Sequence, residues 1–112
     1  MSTFTSSQPA DGVTVVQFPE NVLGGPEAVE LSALVRDSLG SGTTLLVFDC
    51  GEVAVMNSSG LGMLVSALTS VRNAGTQLRL ANLPEKVSSL LSMTQLDKVF
   101  EIRDTVEAAM KE

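Results

Sequence analysis

Residues Thr44–Gly62, TLLVFDCGEVAVMNSSGLG, are the strongest indication of the fold, because an apolar segment leads within a few residues into the start of a helix. Its first part, Thr44–Phe48, is apolar almost throughout, which is typical of a strand covered on both faces. We therefore place this strand at the centre of a sheet. The next apolar residues, Val53–Met56, either extend the strand or form a short segment beside it.

Residues 57–62, NSSGLG, place small polar side chains and two glycines at the predicted helix start, and we call this segment the notch. Asn57 is a favoured N-cap residue, so Ser58 and Ser59 would lie in the first turn, where backbone N–H groups lack intrahelical acceptors. A helix start carries roughly half a positive charge and would stabilise an anion held on either serine. On local chemistry alone, simple capping is the favoured explanation of the serines.

The helix that follows the notch is predicted to reach about Ala74 and to have two distinct faces. The residues expected to face the sheet are Leu61, Leu64, Val65, Leu68 and Val71. The residues expected on the opposite side are Ser59, Gly62, Met63, Ser66 and Ser70. That side is small and polar apart from Met63, which suits a surface that a partner approaches closely.

The rest of the chain alternates strand and helix patterns, in the order β-β-α-β-α-β-α-β-α. The predicted strands outside the central stretch are Gly12–Phe18, Val22–Leu23, Gln77–Ala81 and Val99–Ile102. The predicted helices run from Pro26 to Gly40, from Pro84 through Val87, Leu90 and Leu91, and from a capping box of Asp104 and Glu107 through Met110. This order predicts one α/β domain over residues 11–112, with about four helices on a mixed, mostly parallel sheet of about four to five strands, after a flexible segment at residues 1–10.

The composition of the chain argues against several classes of function. With 13 acidic and 7 basic residues, the net charge of −6 disfavours nucleic acid and anionic membranes as partners. The chain has no histidine, and its acidic residues, Asp49 and Glu52 included, lack metal-ligand spacing, so we expect no metal, no cofactor and no enzymatic activity. The single cysteine, Cys50, is interpreted as a small buried residue. Without a membrane span or a signal sequence, a cytoplasmic location is expected.

The central stretch also carries a family resemblance. Residues 47–62, VFDCGEVAVMNSSGLG, resemble the signature of STAS domains, specifically of the bacterial anti-sigma factor antagonists, in which a hydrophobic strand and a short apolar segment precede D-S-S-G-L-G. Downstream, Leu78–Pro84 and Leu96–Phe100 resemble the family's fourth strand and its L-D-x-x-F segment. The resemblance extends over roughly residues 13–111 and implies the STAS fold.

The resemblance implies a partner switch that regulates transcription. In such proteins the serine before Gly-Leu, here Ser59, accepts phosphate from an ATP-binding anti-sigma factor serine kinase, with Ser58 as the alternative. Unmodified antagonist captures the kinase and frees a sigma factor, and a metal-dependent serine phosphatase resets the switch. The partner-binding residues predicted on this basis are Asn57, Ser58, Ser59, Gly60, Gly62, Met63 and Ser66. The glycines would let the nucleotide site of the kinase come close.

Two departures from the family pattern keep alternatives open. Asn57 stands where the family has an acidic residue, which preserves an N-cap but removes a negative charge. The segment Phe18–Leu23 lacks the usual G-E-L-D turn. The alternative function is a STAS subunit that never cycles, either a scaffold or the cytosolic subunit of a lipid-transport ATPase. The sequence leaves the oligomeric state open, with a homodimer among the alternatives.

Overall fold

The computed structural model describes residues 4–111, which form two sheets and four α-helices. The strands are β1 (Thr5–Ala10), β2 (Val13–Gln17), β3 (Asn21–Val22), β4 (Leu45–Asp49), β5 (Val55–Met56), β6 (Gln77–Ala81) and β7 (Glu101–Arg103). The helices are α1 (Pro26–Gly40), α2 (Ser58–Asn73), α3 (Glu85–Met93) and α4 (Val106–Met110), and a 3₁₀ turn spans Leu96–Lys98.

The main sheet has five strands in the order β1-β2-β4-β6-β7, so the apolar strand β4 is central, as predicted. Strand β1 pairs with β2 in antiparallel fashion, and all other neighbours in this sheet are parallel. In the register of the three middle strands, Val47 lies between Val15 and Arg79. The predicted single α/β fold with a mixed, mostly parallel sheet is confirmed.

Both faces of β4 are covered, which explains why its sequence does not alternate. One face packs under α1, α2 and α3, and its core includes Phe48, Leu64 and Leu91, all fully buried. The other face carries a smaller cluster in which Val47 contacts Ala109 of α4. Three crossover helices therefore lie on one side of the sheet, and the short C-terminal helix lies on the other.

The prediction of a flexible segment at residues 1–10 is wrong for the described part of that segment. Residues Thr5–Ala10 form the edge strand β1, and Phe4 is buried with its ring edge-on to Phe18 at a centroid distance of 5.0 Å. All six side chains of β1 are exposed, so the strand lacks the apolar alternation that identifies strands in a sequence. Residues 1–3 lie outside the described residues.

The structure decides between the two alternatives for Val53–Met56 and corrects the predicted cap of α4. Val53–Met56 does not extend β4, because β5 instead pairs with β3 in a separate two-stranded parallel ribbon, the second of the two alternatives. Helix α4 is capped by Thr105 rather than Asp104, since the Thr105 hydroxyl accepts a hydrogen bond from the Ala108 N–H at 3.0 Å. The Arg79 guanidinium holds the far end of α4 by donating to the backbone carbonyls of Ala109 and Lys111, both at 2.8 Å.

Candidate partner-binding site

The start of α2 is capped as the sequence predicts. The Asn57 backbone is extended, and its side-chain Oδ1 accepts a hydrogen bond from the Gly60 N–H at 2.9 Å. The Asn57 carbonyl accepts the first intrahelical bond, from the Leu61 N–H at 3.0 Å. The N–H groups of Ser58 and Ser59 precede these bonds and have no acceptor within the helix. Two donors at the positive end of the α2 dipole therefore lie in the notch.

The two serines are exposed but have different surroundings. Ser58 lies at the first position of α2. Ser59 lines a cavity of about 220 Å³ between α1 and α2, together with the exposed Ser32 and Ser66. The structure thus gives both serine hydroxyls access to solvent and places only Ser59 at the end of this groove.

Gly60 has a different role from the predicted one. It is buried, and a Cβ at this position would collide with the carbonyl oxygen of Val22 and lie 3.0 Å from Cγ of Met56. Its small size lets the first turn of α2 pack directly on the β3–β5 ribbon. The prediction that Gly60 belongs to the partner surface is therefore wrong, because the close approach comes from the protein's own backbone.

Gly62 is open, as predicted. It is exposed, and a Cβ placed on it would meet nothing within 4 Å. Ser66 and Ser70 continue the same exposed side of α2. A glycine inside a helix costs roughly 0.5–1 kcal/mol relative to alanine, and no packing contact within the described chain requires one at position 62.

The predicted faces of α2 need correction at two positions. Met63 was expected on the exposed side but is only 6% exposed, because α1 packs beside α2 and extends the buried face in that direction. Val65 was expected to face the sheet but is 37% exposed, so its side chain lies at the margin of the core. Met63 forms part of the groove lining and is not open for direct docking in the way that Ser66 is.

The start of α2 carries no basic side chain. The sequence has no lysine or arginine between Arg36 and Arg72, so the notch and the first 14 residues of α2 lack a positive side chain. The nearby carboxylate of Glu27 accepts a hydrogen bond from the Leu23 N–H at 2.9 Å. A phosphate on α2 would therefore depend on backbone donors and the helix dipole rather than on an ion pair along this helix.

Cys50 is not a functional nucleophile in this fold. It is fully buried after β4, and burial, with a smaller contribution from the Asp49 carboxylate, raises the pKa of its thiol to about 12. The thiolate needed for reactivity is therefore scarce near neutral pH. Asp49 accepts hydrogen bonds from the Gly51 N–H and the Asn82 amide, each at 3.0 Å, and orders the loop after β4.

Two other features, a metal-binding cluster and a membrane-spanning helix, are absent from residues 4–111. No group of three or more His, Cys, Asp or Glu side chains in this range could hold a metal ion. In the same range, no helix has both the length and the apolar character needed to cross a membrane.

Sequence reasoning missed one part of the site, the loop Leu23–Gly25. Gly24 lies directly against Ser59, and the Leu23 carbonyl accepts a hydrogen bond from Nδ2 of Asn57 at 3.4 Å. The Gly-Gly pair was a visible signal for an unusual turn, but the sequence does not show that the turn meets the notch.

Comparison with known proteins identifies the family. The STAS domain model matches residues 6–109. A Thermotoga maritima protein assigned as an anti-sigma factor antagonist is 34% identical over 99 residues, which are 88% of each chain. A crystal structure of a Thermotoga maritima protein with the same assignment superimposes with a TM-score of 0.81 at 30% identity and covers 96% of this chain and 91% of that chain.

A more distant structure has the same fold. The phosphorylated form of the Bacillus cell fate determinant SpoIIAA superimposes with a TM-score of 0.73 at 14% identity, over 94% of this chain and 95% of that chain. The resemblance noted in residues 47–62 is confirmed by the family match and by the Thermotoga relative. The chain belongs to the STAS domain family, among the anti-sigma factor antagonists.

Proposed function

We propose that this protein is a phosphorylation-controlled partner switch, in which Ser59 accepts phosphate and the unmodified protein binds an anti-sigma factor serine kinase, so that a sigma factor is released. The observation that carries this proposal is the exposed Ser59 at a capped helix start, next to the open surface of Gly62 and Ser66. Family membership supplies the class of partner. The phosphorylated form of a Bacillus protein of the same fold gives further support.

In the proposed reaction this chain is the substrate. The Ser59 hydroxyl attacks the γ-phosphorus of ATP, the bond to the β,γ-bridging oxygen breaks, and ADP leaves. The kinase supplies Mg²⁺, nucleotide positioning and the base that takes the hydroxyl proton. This chain needs only to present a reachable oxygen, which agrees with the exposure of Ser59.

The phosphate then changes the binding energy. It adds about −1.5 to −2 charges at a helix whose first 14 residues carry no basic side chain. In a fitted interface that places Ser59 near ADP, this charge would be repelled and desolvated. A 100-fold loss of affinity corresponds to only about 2.7 kcal/mol, which is within reach of one misplaced dianion. A metal-dependent serine phosphatase would restore the binding form by hydrolysing the phosphate ester.

Asn57 favours a second candidate function, a STAS subunit that does not cycle. The Asn57 side chain caps α2 through the Gly60 N–H, so the fold keeps its helix start without the acidic residue of the family pattern. If that carboxylate is needed for recognition by the kinase, the chain would act as a scaffold or as the cytosolic subunit of a lipid-transport ATPase. The two functions differ in whether phosphate is transferred to the notch.

The test is reconstitution with the ATP-binding anti-sigma factor from the same organism. Native protein should bind the kinase and acquire one phosphate, mapped by tandem mass spectrometry to Ser59. The variant Ser59→Ala should bind but stay unmodified, whereas Ser58→Ala should behave as the native chain. The variant Ser59→Asp should bind at least about tenfold more weakly, a loss of about 1.4 kcal/mol. Binding without phosphate transfer would support the non-cycling alternative.

A further inference from the structure

We infer that Gly24, in the loop between β3 and α1, is a positioning residue for Ser59 and determines which of the two notch serines is presented to the kinase. The consequence for phosphorylation rests on the proposed function. The positioning itself follows from contacts within this chain and can be measured without a kinase.

The contact between Gly24 and Ser59 leaves no room for a side chain. Gly24 has φ = +93°, and a Cβ built on it would lie 2.8 Å from Cβ and 3.6 Å from Oγ of Ser59. Real Cβ atoms do not approach each other this closely, so any larger residue must displace either the loop or Ser59. The backbone of Gly24 therefore forms one wall of the space that the Ser59 side chain occupies.

Hydrogen bonds of Leu23 to α1 and to the N-cap residue of α2 hold the loop that contains Gly24. The N–H of Leu23 donates to the Glu27 carboxylate of α1 at 2.9 Å, and the carbonyl of Leu23 accepts from Nδ2 of Asn57 at 3.4 Å. Asn57 also caps α2 through its Oδ1. One side chain thus links the loop to the helix that carries Ser59, so the loop and the notch keep a defined relative position.

The amide of Asn57 is necessary for this link. An aspartate could cap Gly60 in the same way, but an ionised carboxylate has no hydrogen to donate to the Leu23 carbonyl. The residue that departs from the family pattern therefore adds a contact between the loop and the notch, in place of the negative charge.

The arrangement distinguishes Ser59 from Ser58. Ser59 packs against Gly24 and lines the groove between α1 and α2, whereas the structure records neither contact for Ser58. A serine held at a fixed position loses less freedom when its hydroxyl enters the nucleotide site, and a displacement of about 1 Å can lower a rate by about 100-fold. The loop would thereby favour Ser59 as the acceptor.

Gly25 provides a matched control. It also has a left-handed backbone, with φ = +68°, but a Cβ on it would meet nothing within 4 Å. Gly24→Ala and Gly25→Ala each place an alanine at a positive φ in one loop, and only the first brings a Cβ against Ser59. We expect Gly24→Ala to lower the initial rate of phosphate transfer to Ser59 by at least about tenfold relative to Gly25→Ala. Equal rates at Ser59 in the two variants would overturn the inference.

A kinase-free measurement uses thiols introduced one at a time by Ser58→Cys and Ser59→Cys. The native Cys50 is buried with a thiol pKa of about 12 and will not compete. With iodoacetamide, we expect the thiol at position 59 to react several-fold more slowly than the thiol at 58. Adding Gly24→Ala should change only the rate at 59, and adding Gly25→Ala should change neither.

Phosphate transfer tests the proposed function, and thiol reactivity tests the positioning role of Gly24. If the native chain accepts no phosphate but the thiols follow this pattern, the proposed function fails and the positioning role of Gly24 stands. Equal reactivity of the two thiols in the otherwise native chain would overturn the positioning role, even if the Gly24→Ala variant did not fold.

Discussion

The two sides of α2 use the same residue types for opposite purposes. On the buried side, Gly60 lies against the backbone of Val22, and its lack of a side chain lets the helix pack on the β3–β5 ribbon. On the open side, only two residues further along, Gly62 contacts nothing within 4 Å. A glycine pair in one motif can therefore combine an architectural requirement with an exposed, unobstructed position.

The largest expected effect is the loss of stability when a buried side chain of α2 is truncated, compared with an exposed one. Leu68→Ala removes a core side chain that is 8% exposed and should lower the free energy of unfolding by about 2–5 kcal/mol. Ser66→Ala changes an exposed side chain and should stay within about 0.5 kcal/mol of the native value. Urea denaturation of the two variants measures both numbers. A tolerant Leu68 would mean that the buried side of α2 is misassigned.

The two glycines should respond to alanine with opposite signs. Gly60→Ala forces a methyl group against the Val22 carbonyl and should destabilise the fold by about 1–3 kcal/mol. Gly62→Ala meets open space in a helix and should stabilise the fold by about 0.5–1 kcal/mol. Thermal unfolding monitored by circular dichroism shows whether each variant is more or less stable than the native chain. If Gly62 serves partner approach, Gly62→Ala should also weaken kinase binding despite its greater stability.

A second comparison is between the buried thiol of Cys50 and the exposed hydroxyls of the serines. The Cys50 thiol has a pKa of about 12 in the folded chain against 9.0 as its ordinary value. Above pH 9 the unfolded state loses this proton and the folded state keeps it, so stability should fall by about 1.4 kcal/mol per pH unit up to about pH 12. Subtracting the curve of Cys50→Ala isolates this contribution. Identical slopes for the two proteins between pH 9 and 11 would contradict the shift.

The smallest expected effect concerns Asn57, which caps α2 and joins it to the Leu23–Gly25 loop. Asn57→Ala removes the acceptor for the Gly60 N–H and should cost about 0.5–2 kcal/mol. Asn57→Asp keeps that acceptor and should be nearly as stable as the native chain, while it loses the hydrogen bond to the Leu23 carbonyl. Hydrogen exchange of the Leu23–Gly25 amides should therefore be faster in Asn57→Asp. Unchanged exchange in this loop would mean that the Asn57 amide does not hold it.

The sequence predicted the central architecture because each central element has a strong local pattern. The unbroken apolar character of β4 indicated its place between two layers, and Asn57 marked the start of α2 correctly. Strand β1 was missed because its side chains are all exposed, so no apolar period identifies it. The cap of α4 was misplaced by one residue, since Asp104 and Thr105 are both good N-cap residues.

Errors at the candidate site came from contacts between elements distant in sequence. The position of α1 beside α2 buries Met63, and the ribbon of β3 and β5 buries Gly60. A helical wheel of α2 alone contains neither neighbour. The contact of Gly24 with Ser59 joins residues 35 positions apart in the chain and follows from the fold rather than from a motif.

The most direct test of the switch is the intact mass of the protein purified from its own cells, before and after treatment with a serine phosphatase. We expect a species with a single phosphate that maps to Ser59, disappears on treatment and is absent in cells that carry Ser59→Ala. A protein that remains unmodified under all growth conditions, in cells where the kinase is present and active, would contradict phosphorylation control at Ser59.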